Sequence, residues 1–165
     1  MFKVLISKPN YLKTRNDPGI GLTILLGVSI LLALLLLSGQ TFALINYDLM
    51  VSMGLQESEE EVTKLGVAWA KAFAIGDTVF YLPLLIAGII GLSKRTKWGF
   101  YCMFASLAVS VYWPIVNLTV IYIGRDAMIL HPDKYVTFPI VLILVIIYGC
   151  WGMLYLFKHQ KSLLR

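Results

Sequence analysis

The stretch LGVAWAKAFAIGDTVFYLPLLIAGIIGLS, residues 65–93, decides how this chain reads, because a segment long and apolar enough for a membrane holds Lys71 and Asp77. It exceeds the roughly 20 residues that an α-helix needs to cross a hydrocarbon core of about 30 Å. An ionisable group at that depth is expensive and marks a functional site by default. Asp77, the deeper of the two, is therefore the leading candidate residue.

Three further windows, residues 18–47, 98–124 and 135–157, contain no Asp, Glu, Lys or Arg. With the first stretch they predict an all-α membrane protein, a four-transmembrane-helix bundle forming one domain over residues 1–165. The expected spans are 20–38, 66–93, 98–123 and 136–157, and the second helix extends outward from residue 58. Composition agrees. Hydrophobic residues make up 59% and charged residues 14% of the chain, whereas a soluble domain carries about 25% charged residues. One small core would not hide that much apolar surface.

The net charge of +5 suggests nucleic acid only until its distribution is read. Lys3, Lys8, Lys13 and Arg15 precede the first span, Lys94, Arg95 and Lys97 fill the second link, and Lys158, Lys161 and Arg165 follow the fourth span. The first long loop instead carries Asp48, Glu57, Glu59, Glu60 and Glu61 against Lys64, and the third connection balances Arg125 and Lys134 against Asp126 and Asp133. Ten of the 14 basic residues thus fall on one side of a four-span chain and three on the other. The positive-inside rule places both termini in the cytoplasm. The expected location is a plasma or inner membrane, with the bilayer rather than nucleic acid as partner. The first window reads as a permanent span: Thr41 and Ala43 have the spacing of a cleavage site, but the apolar run is longer than the usual signal-peptide core.

Local signals place the ends. Asp17 and Pro18 suit a helix start, and Gly19, Thr23 and Gly27 suggest a packing seam. The first external loop starts near Gly39, with a turn at Asn46-Tyr47-Asp48 and a short interfacial piece over residues 49–55. Ser58 and Glu61 form a capping box. Pro83 and Pro114 predict kinks, Lys71 should snorkel outward, and His131-Pro132-Asp133 should turn. Trp98, Tyr101 and Tyr155 would form an inner aromatic belt. Cys102 and Cys150 belong to no C-x-x-C pair and read as small hydrophobes.

A helical rise of 1.5 Å per residue puts Asp77 and Trp113 each about 22 Å above the inner edge, and Asn117 about 28 Å. On the second helix Ala70, Ala74, Asp77, Tyr81 and Leu84 share a face, with Thr78 beside them; on the third, Ser106, Ser110, Trp113 and Asn117 do. Polar stripes in lipid turn inward. The candidate ligand-binding set is therefore Asp77, Thr78, Tyr81, Tyr112, Trp113 and Asn117, in the outer half. Tyr148, Cys150 and Trp151 form a second, inner cluster that reads as packing.

Three roles stay open for Asp77: glue between helices, binding of a ligand or ion, or proton coupling. No H-E-x-x-H, G-x-S-x-G or phosphate-binding glycine loop occurs, and His131 and His159 fall on opposite sides, so no metal, cofactor or catalytic residue is expected. A lone acid in a small four-span bundle resembles the architecture of small multidrug-resistance transporters, which work as dimers. Here the acid is on the second span and the chain is longer. The leading expectation is a protein that binds a small amphipathic or lipidic ligand, or a membrane partner, around Asp77. A homodimeric proton-coupled transporter is the alternative, and a membrane-embedded enzyme the third.

Overall fold

A computed structural model of the chain describes residues 19–126, 130 and 132–164. The readings made for Asp17, Pro18, His131 and the basic residues before the first span lie outside them. Among the described residues the chain is all-helical, and four helices are long and apolar enough to cross a membrane. These are α1 (Gly19–Ile45), α3 (Glu59–Ser93), α4 (Lys97–Ile123) and α5 (Lys134–Leu163), with a short α2 (Tyr47–Ser52) between the first two.

The four long helices close into a ring. α1 packs on the second half of α3, that half on α4, and α4 on α5. α5 returns to α1, where the Tyr148 hydroxyl meets Ser29 and Gly152 lies against Leu25. Leu25, Leu85, Leu92, Met103, Leu107 and Leu156 fill the middle and are fully buried.

Close approach is made by glycines other than those expected. Gly19 and Gly27 face open space and Thr23 is exposed, its hydroxyl donating to the Gly19 carbonyl at 3.0 Å. The residue periodicity of α1 turns Leu25 and Ser29 inward instead, and that leaves the Gly19 stripe outside. The tight contact lies beside the basic link. There Gly91 and Gly99 press backbone to backbone, and Gly88 lies against the Met103 backbone. The Thr96 hydroxyl caps the start of α4 by accepting from the Gly99 N–H at 3.2 Å. α3 and α4 are the antiparallel hairpin that the short link predicts.

Two helices contain a π turn. α1 does not end near Gly39; it continues through a π turn at Leu37–Thr41 to Ile45. Nothing in that segment forces a stop, and the helix ends where Asn46 leaves helical geometry and caps α2 by accepting from the Leu49 N–H at 3.0 Å. In α3 the disruption expected at Pro83 appears as a π turn just before it, at Asp77–Tyr81. Pro83 lacks an N–H and its ring crowds the carbonyl four residues back, so widening the preceding turn relieves the conflict. Thr41 and Thr78 join the two π turns by a hydroxyl–hydroxyl bond of 3.0 Å.

At the far end from the basic link the capping box is formed. The Ser58 hydroxyl accepts from the Glu61 N–H at 3.3 Å, and the Glu61 carboxylate accepts from the Ser58 N–H at 2.9 Å. The extension is not one straight helix. Thr63, at φ 65° and ψ 168°, breaks it in a backbone region that a β-branched residue rarely adopts. Lys134, at the start of α5, reaches both Glu57 and Glu61 at 3.4 Å. The acidic cluster therefore does more than favour a helix start: it holds the first residue of α5.

Candidate functional site

The π turn in α3 creates the candidate site. After it, the helix packs along α4; before it, the helix packs on the π turn of α1 and on Phe42–Ile45. The first half of α3 thus leans away from α4, and the gap between them is a groove on the side of the bundle. Trp69, Phe73, Phe80 and Asp77 line it from α3, and Val109, Tyr112 and Trp113 from α4. Its volume is about 430 Å³, within the range of small-molecule sites. Trp69, Phe80 and Tyr112 are exposed, so the groove opens sideways.

Asp77 is 5% exposed and sits in the groove wall. The Trp113 indole N–H donates to its Oδ2 at 3.1 Å. Among the described residues every buried side-chain polar atom has a hydrogen-bond partner. Oδ1 has none, so it is the oxygen that keeps an accessible surface on the groove. No cation of the chain answers it among the described residues. Arg125 pairs with Asp126 at 3.6 Å, and the Lys71 ammonium lies 4.8 Å from the centre of the Tyr47 ring.

The six sequence-predicted residues divide. Asp77, Tyr81, Tyr112 and Trp113 line the groove. Thr78 points to Thr41 on α1 instead. Asn117 lies one turn beyond Trp113 and donates from its amide to the Trp113 carbonyl at 2.9 Å, within its own helix. Tyr81 faces the groove with its ring and sends its hydroxyl inward to Ser110 at 2.6 Å.

Residues 69, 73 and 80 were missed as a set, although their spacing around Asp77 is helical and was present in the sequence. Also missed was the bond of 2.6 Å between Ser29 and Tyr148, in which Ser29 additionally approaches the Met103 sulfur at 3.5 Å. The inner cluster divides accordingly. Tyr148 is a core hydroxyl, whereas Cys150 and Trp151 face outward, and Trp151 stacks on Tyr155 with ring centres 5.5 Å apart.

Chemically, the arrangement offers an apolar trough with one unpaired carboxylate oxygen of buried Asp77 reaching its wall. No protein-family model, curated protein or solved structure matches the chain.

Proposed function

We propose that the chain is a multi-pass integral membrane protein with cytoplasmic termini, and that its lateral groove binds a small amphipathic or lipidic molecule. The carrying observation is the groove itself: apolar walls, a sideways opening and the unpaired oxygen of buried Asp77. In this orientation the groove lies in the outer half of the bilayer and faces acyl chains. A ligand enters along the membrane plane, lays its apolar body on Trp69, Phe73 and Phe80, and brings its polar end to Asp77.

Gly76→Leu tests the binding reading. Gly76 lines the groove and a Cβ there meets nothing within 4 Å, so a leucine side chain starts into open space. A brominated alkyl amphiphile should quench the emission of Trp69 and Trp113 saturably in the parent protein and lose the saturable part in the variant. Equal saturable quenching in both would refute the groove as the site. Orientation is tested by Glu60→Cys with Cys102 and Cys150 replaced by serine: an impermeant thiol reagent should label it from outside intact cells, and labelling from the cytoplasmic side alone would reverse the topology.

A further inference from the structure

We infer that the polar end of the groove ligand is an alkylated ammonium, tertiary or quaternary, which makes the ligand a cationic amphiphile. The inference rests on the amphiphile reading above and specifies its chemistry. Three observations carry it. The first is charge. A carboxyl group inside an apolar wall either keeps its proton or needs a counter-charge, and Lys71 and Arg125 supply none, lying instead with Tyr47 and Asp126. The ligand is then the natural source of the positive charge.

The second observation is aromatic density. Six of the ten lining residues are aromatic: Trp69, Phe73, Phe80, Tyr81, Tyr112 and Trp113. Ring faces attract cations, alkylated ammonium groups above all, because desolvating them is cheap and the ring quadrupole offsets the charge. Trp69 and Phe73 are already set edge to face, with centres 5.5 Å apart. Plain alkyl chains would be served equally well by leucine and isoleucine, which this chain uses freely on its other exterior faces.

The third is the shortage of acceptors. The Tyr81 hydroxyl is bonded to Ser110, and Asp77 Oδ2 takes the Trp113 N–H. Among the lining side chains, the remaining lone pairs of the Asp77 carboxylate and the Tyr112 hydroxyl are what is left for a ligand. A primary ammonium brings three N–H donors spread in three directions, and acceptors gathered on one carboxylate and one hydroxyl meet them less fully than water does. A tertiary ammonium brings one, and a quaternary none.

The test measures binding of three dodecyl probes to the purified protein in maltoside micelles, read by quenching of tryptophan emission and corrected against protein-free micelles. The probes are dodecyltrimethylammonium, its uncharged analogue with a quaternary carbon in place of nitrogen, and dodecylammonium. The trimethylammonium probe should bind at least tenfold tighter than the uncharged analogue and severalfold tighter than the primary amine. Asp77→Asn should bring the first two together while the uncharged analogue binds as before. Equal binding of charged and uncharged probes to the parent protein would overturn the cationic inference and leave the groove reading standing. A primary amine that binds as tightly as the trimethyl probe would overturn the alkylated head. Binding by none of the three would remove the groove reading itself. Because the parent protein alone separates these outcomes, poor folding of Asp77→Asn does not weaken the test. Competition by a short-chain phosphatidylcholine, but not by its ethanolamine counterpart, would identify a membrane lipid as the source of the head group. Competition by neither would exclude both lipids as that source.

Discussion

Gly99→Ala is the most exacting perturbation of this architecture. A Cβ on Gly99 would run into the carbonyl carbon and Cα of Gly91 and the backbone nitrogen of Leu92. All three are main-chain atoms, so no rotamer change makes room, and α3 and α4 must move apart. Separation would loosen Leu92 and Met103, both fully buried. Forcing one methyl into a packed seam costs about 1–3 kcal/mol, and the backbone clash puts this substitution at the upper end of that range. The control is Gly27→Ala, where a Cβ meets nothing; removing a helical glycine there should be neutral or stabilise by up to about 1 kcal/mol. Both variants are compared with the parent by denaturant titration in the same detergent, following far-UV circular dichroism. A Gly99→Ala protein as stable as the parent, or one no worse than Gly27→Ala, would show that the helices do not touch where the structure puts them.

Trp113→Phe keeps a ring in the groove but takes away the hydrogen bond to Asp77, and should cost about 1–3 kcal/mol in the same titration; a neutral result would mean that the bond contributes nothing. Lys134→Met should lower stability by about 1–3 kcal/mol, because Lys134, Glu57 and Glu61 are each at most 24% exposed and two half-buried carboxylates lose their cation. An unchanged midpoint at low salt would refute the clasp. At the same end of the molecule, burial, then the charges of Glu57 and Glu61, push the Tyr47 hydroxyl up to about 12. The unfolded chain ionises near 10, so this share of stability is intact below pH 10 and is lost as pH rises towards 12. Tyr47→Phe should flatten that alkaline decline, and an unchanged slope would show that Tyr47 ionises as it does in the unfolded chain.

The sequence displays some of these features openly because they are local. Uninterrupted apolar windows give the four long helices, and Ser58 with Glu61 gives a cap that needs only its own four residues. The pairing of Asp77 with Trp113 follows from equal depth on antiparallel neighbours, which the short basic link enforces. Other features depend on what lies across the bundle. Thr78 and Asn117 share the polar neighbourhood, yet their partners, Thr41 and the Trp113 carbonyl, turn them away from the groove. The glycines of α1 and those of α3 and α4 look alike in sequence; only the packing decides that Gly91 and Gly99 form the seam while Gly27 faces outward. Lys134 lies 73 positions from Glu61, and no local pattern predicts that they meet. Neither π turn has a composition of its own.

Those turns carry a consequence for how the protein tolerates change in length. A π turn holds one residue more than the α-helical turn it replaces, and one residue corresponds to about 100° of rotation. Removing any single residue from Asp77–Tyr81 would let α3 relax to regular geometry. Because the five-residue π turn covers about the angle that one residue fewer covers in an α-helix, everything before the deletion would keep its facing relative to everything after it. With the later half pinned by Gly88 and Gly91, Trp69 and Phe73 would stay on the wall they share with Tyr112 and Trp113, whereas a residue removed from the regular helix at residues 74–76 would turn both by about 100° off it. Length is therefore negotiable at Thr78 and Val79, inside the π turn, and fixed in the regular helix before it, where a one-residue deletion takes Trp69 and Phe73 from the groove while changing almost nothing in the chain's composition.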